Sequence, residues 1–266
     1  MVLRSNPREA ANDQEGPEGC LPPWRVLCLA FKDIDVEFLN EYGRSQRFKY
    51  SLRPEEAEKA LWSFRQFPPL AKEFSRGMAR ISYHVEHAER PLTSLSPVGC
   101  PAYWPAPPDV FPELLRHAPL YDSIFVLWPQ SDVLNDNRIP SPGWGLAIGP
   151  GHIPGGATYC SIANAPGYCW DVPLAGEVWL HEWLHGICDF FESKGFTMPE
   201  CNADGGGLHG YTQSPVTGWC QYYEDLMTGQ VLENGRRTGI TPEAWLSGTI
   251  RSQMQKKSLL ERIFKK

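Results

Sequence analysis

The segment PLAGEVWLHEWLHGICDFF (Pro173–Phe191) decides how the rest of the chain is interpreted. Its apolar residues recur at helical spacing, and Asp171 and Pro173 stand where an N-cap and a first helical turn are expected. We therefore predict a long buried helix over Pro173–Phe191. Within it lies the sequence HEWLH (His181–His185), which is an HExxH motif.

Two histidines four positions apart lie about 40° apart around a helix, so both imidazoles can bind one metal ion. His181 and His185 are therefore candidate ligands, and Glu182 between them is a candidate base. Because the neighbouring residues are apolar, these buried imidazoles need polar partners, which a metal ion supplies. Zinc suits such an open, roughly tetrahedral site, where the pKa of a bound water falls to about 7. We predict one Zn²⁺ per chain, with Glu182 as the catalytic residue that takes a proton from the zinc-bound water.

The motif does not fix the third ligand. The window after the helix offers several carboxylates and one histidine: Glu200, Asp204, His209, Glu224 and Asp225. We prefer His209, the only histidine after the motif, because the glycines of DGGGLHGY would let the backbone turn back toward the helix. Asp204 is the alternative third ligand.

Other side chains are candidates for supporting roles at this site. Tyr211, Tyr222 and Tyr223 could stabilise the oxyanion of a transition state, because a phenol near the metal can donate to developing charge. Glu177 and Asp189 lie one helical turn before His181 and one turn after His185. Either carboxylate could accept the second ring N–H of a ligand histidine.

The segments before this helix alternate between strand and helix patterns. We predict helices that begin at Pro54 and near Pro108, and strands over residues 24–31, 79–89, 121–129, 143–149 and 157–164. The charged KDIDVE that follows the first strand is interpreted as the boundary of that strand. After the motif come a Gly-rich loop, a short aromatic segment and a closing helix from Thr241 to about Phe264.

These elements predict an α+β fold. Its N-terminal half would be a twisted mixed sheet with helices, and its C-terminal half would be irregular and end in a helix. Residues 1–23 are predicted to be a disordered tail, since the stretch is polar and ends in the Pro22-Pro23 break. Residues 24–266 would then form a single catalytic domain.

The HExxH helix between such halves resembles the zincin superfamily of zinc metallopeptidases. The metzincin pattern HExxHxxGxxH requires Gly and His where this chain has Cys188 and Phe191, so the subclass stays open between metzincin-like and gluzincin- or aspzincin-like arrangements. The resemblance implies a zincin-like fold in which the edge strand before the helix pairs with an extended substrate. Residues 143–149 or 157–164 occupy that place. Met227, shortly before Gly229, looks like the methionine turn beneath the metal of metzincin sites.

Composition limits the partners of the chain. Its 25 Lys+Arg against 31 Asp+Glu give a net charge of -6, which excludes broad attraction to nucleic acids or to anionic lipid. No apolar run is long enough to span a membrane. The polar stretch 1–19 lacks the apolar core of a secretory signal, so we expect a cytoplasmic protein, or a secreted one if this N-terminus is incomplete.

The eight cysteines leave the redox state open. The spacings of Cys160 with Cys169 and of Cys201 with Cys220 would suit local disulfides in an oxidising compartment. Reduced structural thiols are the other interpretation.

The favoured function is that of a zinc-dependent metalloendopeptidase, and its peptide or protein substrate is implied by the resemblance. The alternative is a non-catalytic module, either zincin-shaped or stabilised by disulfides, that acts as a binding protein or toxin. Glu182 argues against the alternative, because a structural zinc site is closed by four protein ligands and needs no neighbouring base. The sequence does not indicate an oligomeric state.

Overall fold

The computed structural model of the protein describes residues 21–99, 101–164, 170 and 173–255. It combines helices with a mixed sheet, which confirms the α and β content of the predicted class. All of the predicted tail except residues 21–23 lies outside the described residues. Among the described helices, none is both long enough and apolar enough to cross a membrane.

The helices are α1 (Pro54–Phe74), α2 (Phe111–His117), α3 (Glu177–Glu192), α4 (Cys220–Met227) and α5 (Pro242–Leu246), and a further helical stretch covers 250–255. The strands are β1 (Trp24–Ala30), β2 (Asp33–Leu39), β3 (Ser45–Ser51), β4 (Ile81–His87), β5 (Ser96–Pro97), β6 (Tyr103–Trp104), β7 (Ser123–Trp128), β8 (Ser131–Asp132), β9 (Asn137–Arg138), β10 (Gly145–Ile148), β11 (Thr158–Ala163), β12 (Val231–Glu233) and β13 (Arg236–Thr238).

Five strands form the central sheet in the order β10-β11-β7-β1-β4. The pairs β4-β1, β1-β7 and β7-β11 are parallel, whereas β10 runs antiparallel to β11 and forms one edge. The inner strands β7 and β11 are buried along their whole length, and β7 is a nearly continuous apolar run, as is typical of a parallel sheet covered on both faces. This burial explains why the sequence pattern located the inner strands.

Both faces of the sheet are covered by apolar side chains. On β1, Val26 and Cys28 face a core shared with α1 and α3, whereas Leu27 and Leu29 face a second core shared with the β2-β3 hairpin and α2. The first core is rich in aromatic residues, and Trp183 of α3 makes edge-to-face contact with Trp24 at 5.8 Å. The sheet therefore fixes the position of α3.

The five predicted sheet strands and the two predicted early helices are all present. The helix that begins at Pro54 continues past Phe67 through two prolines to Phe74, because Ala71 and Phe74 still bury their side chains in the core. The first strand ends at Ala30, before KDIDVE, so this predicted boundary is confirmed. Strand β2 was not predicted from the sequence. It begins at Asp33 within this stretch, forms a hairpin with β3 and buries Ile34, Val36 and Phe38 as alternating residues.

Two predicted helix boundaries are wrong. Helix α3 begins at Glu177 rather than Pro173, because residues 173–176 form a turn that ends at Gly176 with φ 89°. The proposed N-cap Asp171 lies outside the described residues. The closing helix is interrupted after Leu246, where Gly248 adopts φ 100°, and its continuation beyond residue 255 lies outside the described part.

The described cysteines are free thiols. Cys28, Cys160 and Cys188 are buried, and Cys201 and Cys220 do not form the suggested local disulfide. Cys20, Cys100 and Cys169 lie outside the described residues. The Sγ of Cys160 donates to the carbonyl oxygen of Glu182 at 3.3 Å, so this thiol is part of the contact between the sheet and α3.

A buried carboxylate connects the sheet to the C-terminal helical stretch. Asp122, just before β7, has no exposed surface, and burial raises its pKa. Its oxygens accept from the main-chain N–H of Arg25 in β1 at 2.8 Å and from that of Arg251 at 2.6 Å. Both donors lose their only described side-chain acceptor if this carboxylate is removed.

We predict that Asp122→Ala lowers the free energy of unfolding by about 2–4 kcal/mol, because two main-chain donors would lose a charged acceptor. Urea unfolding followed by circular dichroism measures this. Glu37→Ala, on the exposed side of β2, is the control and should change stability by no more than about 0.5 kcal/mol. Equal stability of the two variants would contradict the structural role of Asp122.

Candidate metal centre

Helix α3 has two different sides. Trp179, Leu180, Trp183 and Leu184 are fully buried in the core. The opposite side carries a polar residue at every fourth position, and these four residues line a cleft of about 900 Å³: Glu177, His181, His185 and Asp189. This spacing places the HExxH histidines on one exposed stripe of a helix that is otherwise held rigidly by the core.

The two histidines and one carboxylate converge in this cleft. The Nε2 atoms of His181 and His185 lie 3.2 Å apart. Asp204 places Oδ1 3.3 Å from Nε2 of His181 and Oδ2 3.6 Å from Nε2 of His185. One ligand atom from each of these three residues lies within 4.8 Å of the other two, and this is the only such group among the described residues.

The donor set and its spacing fit a zinc ion. Zinc binds imidazole nitrogen and carboxylate oxygen at about 2.0–2.2 Å, and the corners of a tetrahedron of that size lie about 3.3–3.6 Å apart. The two Nε2 atoms are 3.2 Å apart, and different oxygens of Asp204 lie 3.3 Å from one and 3.6 Å from the other, which is close to that range. Three protein ligands leave one tetrahedral position for water or substrate.

Hydrogen bonds orient both imidazole rings. Nδ1 of His185 donates to Oδ1 of Asn202 at 2.6 Å, so in the neutral ring Nε2 carries a lone pair. Nδ1 of His181 lies 2.8 Å from the hydroxyl of Tyr223. The arrangement turns the Nε2 atoms of both rings toward each other and toward the carboxylate of Asp204.

The electrostatics of the cluster agree with this picture. Burial lowers the pKa of His185, and the neighbouring charge of His181 lowers it further. For His181, burial lowers the pKa, but the hydrogen bond to Asp204 and the charges of Glu182 and Asp204 outweigh it and raise the pKa overall. The hydrogen bond from His181 is the main cause that lowers the pKa of Asp204. The three groups are therefore strongly coupled.

Glu182 is buried between α3 and the edge strand β10. Only 6% of its surface is exposed, although it lines the same cleft as the histidines. Burial raises the pKa of Glu182 to about 7, against the opposing effect of His181. A carboxyl group with a pKa near neutrality can both accept and donate a proton.

The preferred third ligand, His209, is not brought into the cluster. Its Nε2 lies 3.2 Å from the carbonyl oxygen of Glu200 and 3.7 Å from the carboxylate of Glu233, and its ring stacks on Tyr222. The glycine-rich loop does turn back toward α3, but it places the alternative, Asp204, in the cluster. Backbone geometry explains this, because Cys201 and Asn202 adopt positive φ and redirect the chain just before Asp204.

Only one of the three candidate tyrosines lines the cleft. Tyr223 lies in the cleft beside His181. Tyr211 instead donates to Oδ2 of Asp225 at 2.7 Å, and Tyr222 donates to the carbonyl oxygen of Asn202. Met227 is the fully buried last residue of α4, and its predicted position beneath the metal stays a prediction.

Glu177 and Asp189 were predicted to bind the histidine rings, but other residues take that role. Glu177 accepts from the main-chain N–H of Trp219 at 2.7 Å, and Asp189 lies against Gly149 of the loop after β10. Tyr223 and Asn202 take the places beside the Nδ1 atoms instead. Asn202 carried no sequence signal, because its position depends on the positive φ of its own backbone.

Comparison of the chain with protein-family models, with curated proteins and with solved structures finds no match.

We predict about one zinc ion per wild-type chain after reconstitution, measured by elemental analysis. His181→Ala and Asp204→Ala should retain almost none, because each removes one of three ligands. His209→Ala is the matched control and should retain the wild-type content, since its ring is hydrogen-bonded elsewhere. If Asp204→Ala retained zinc and a folded His209→Ala lost it, the third ligand would be His209 and not Asp204.

A second prediction concerns Gly145, the residue of β10 beside Glu182. A Cβ at this position would lie 2.5 Å from the carboxyl carbon of Glu182, so Gly145→Ala should lower the free energy of unfolding by about 1–3 kcal/mol. Gly143→Ala is the control, because its Cβ would meet only a carbonyl oxygen at 3.7 Å. Urea unfolding compares the two, and equal losses would show that β10 does not approach α3 so closely.

Proposed function

We propose that the protein is a zinc-dependent hydrolase of the zincin type, and specifically an endopeptidase. His181, His185 and Asp204 are the proposed zinc ligands, and Glu182 is the proposed general base. The observation that carries the proposal is the convergence of three zinc-type donors at tetrahedral spacing beside a buried carboxyl group in an open cleft. Three protein ligands would leave one coordination position open. This is typical of catalytic zinc sites, whereas structural zinc sites are closed by four protein ligands.

Zinc bound here would supply a Lewis acid that polarises the scissile carbonyl and lowers the pKa of the attacking water. Glu182, a buried carboxyl group in the same cleft, accepts the proton of that water and passes it to the leaving amine. When Nε2 of His181 binds metal, its Nδ1 must donate to the oxygen of Tyr223. The phenol proton of Tyr223 is then available to an oxygen of the substrate.

The edge strand supports an extended peptide as substrate. Among the described strands, β10 pairs only with β11, and residues 145–147 line the cleft. A peptide can add to such an edge through main-chain hydrogen bonds. Of the two segments considered from the sequence, 143–149 contains this edge, whereas 157–164 contains β11, which is already paired on both sides. The proposed substrate strand therefore lines the same cleft as the proposed zinc ligands and lies against Glu182.

We predict that Glu182→Gln lowers kcat/KM for peptide hydrolysis by about 10²–10⁴-fold without loss of zinc, because the amide cannot accept the proton of water. Internally quenched peptides measure hydrolysis, and elemental analysis measures the metal. Glu192→Gln, at the exposed end of α3, is the control and should keep wild-type activity.

The same experiment tests the alternative function. Stoichiometric zinc without hydrolysis of any peptide by the wild type would overturn the peptidase proposal and favour a binding module. Undiminished hydrolysis by Glu182→Gln would overturn the assigned base while leaving the metal site intact.

A further inference from the structure

Glu177 places a buried carboxylate in the cleft at a position that the catalytic proposal does not use. It is the first residue of α3, one helical turn before His181, and is only 8% exposed. One oxygen accepts from the main-chain N–H of Trp219 at 2.7 Å. No other hydrogen bond or ion pair to this carboxylate is present among the described residues, so part of its bonding capacity faces the cleft.

The surrounding chain holds this carboxylate in a fixed position. A Cβ at Gly218 would overlap the Glu177 carboxyl group, so only glycine leaves room for it there. Gly218 also has φ 56°, a conformation that favours glycine. The loop before α4 is therefore shaped around the carboxylate, as expected for a binding group whose geometry matters.

The charges that line the cleft favour a cation. The described lining residues include four carboxylates, those of Glu177, Glu182, Asp189 and Asp204, and they include no lysine or arginine. Asp204 and Glu182 are committed to the proposed metal and base. Asp189 lies against Gly149, three helical turns after Glu177, so Glu177 is the carboxylate left to attract a positive group at its own end of the cleft.

The walls near Glu177 suit the stem of a long basic side chain. Trp170, Leu174, Val178 and Trp219 line this end of the cleft. The methylene groups of lysine or arginine can lie along apolar walls while the charged head reaches the carboxylate. A guanidinium group can in addition stack on an indole ring.

We propose, on the basis of the function proposed above, that Glu177 is a specificity residue that binds a cationic side chain of the peptide substrate. The geometry also assigns that side chain a position. Gly145 lies against Glu182 and Gly149 lies against Asp189, so β10 runs beside α3 in the same direction. A peptide paired antiparallel to β10, the more stable pairing, therefore runs toward Glu177, and the basic residue follows the cleaved bond.

The binding step can be tested without catalysis. The probes are n-butylguanidinium, which mimics arginine, and n-butylurea, its uncharged isostere, and calorimetry measures their affinities for the zinc-loaded protein. We expect the wild type to bind the cation about tenfold more tightly or better. Glu177→Gln should abolish that preference, because the amide keeps the shape and the acceptor for Trp219 but loses the charge.

Asp189→Asn is the matched control, since it removes another carboxylate of the same cleft and should keep most of the preference. Thermal unfolding and zinc content establish that both variants are folded. Equal affinity of the wild type for the two probes would overturn the inference. So would a preference that survives in Glu177→Gln, or one that is lost equally in Asp189→Asn.

Hydrolysis separates this inference from the function on which it rests. The substrates are N-acetylated, internally quenched peptide libraries with arginine or its uncharged analogue citrulline at one fixed position and neutral residues elsewhere. We expect kcat/KM to be about tenfold higher for arginine when it follows the cleaved bond, and the ratio to approach one in Glu177→Gln.

Equal cleavage of both libraries by the wild type would overturn the inference and leave the hydrolase standing. Cleavage of neither library, with the guanidinium preference intact, would overturn the peptidase function and leave the cation site. Preference for arginine before the cleaved bond would overturn the assigned direction of the peptide.

Discussion

The close approach of α3 to the edge of the sheet is the constraint on which the site depends. Three glycines make it possible: Cβ atoms at Gly145, Gly149 and Gly186 would each come within 2.8 Å of an atom across the contact. The aromatic core holds the other side of α3, so the helix can neither move away nor rotate. One helical surface is thereby divided between the buried carboxyl group of Glu182 against β10 and two imidazoles that open to the cleft.

The proposed third ligand reaches the cluster by a different physical route. Asp204 comes from a short turn whose preceding residues, Cys201 and Asn202, are held at positive φ. Asn202 has two roles there. Its side chain orients His185, and its backbone redirects the chain. A local backbone cost of about 1–3 kcal/mol at each such residue is typical of sites whose geometry is fixed before a ligand binds.

The parts that the sequence predicted are those governed by local periodicity. The HExxH helix and the five sheet strands follow from apolar spacing, and the pairing of His181 with His185 follows from helical geometry alone. The β2-β3 hairpin was missed because its charged exposed residues masked the alternation of Ile34, Val36 and Phe38. The choice between His209 and Asp204 could not be made from residue types, since it depends on the backbone angles of Cys201 and Asn202.

The order of strands in the sheet has a consequence for biosynthesis. Strand β1 lies in the interior of the sheet, yet its partner β7 is encoded far downstream, where Val26 pairs with Ser123. At a synthesis rate of about 5–20 residues per second, this separation keeps one edge of an apolar strand unpaired for roughly 5–20 s. The nascent chain therefore exposes an aggregation-prone edge long before the helix that carries His181 and His185 exists, and it depends on holding factors or on rapid early collapse during that interval.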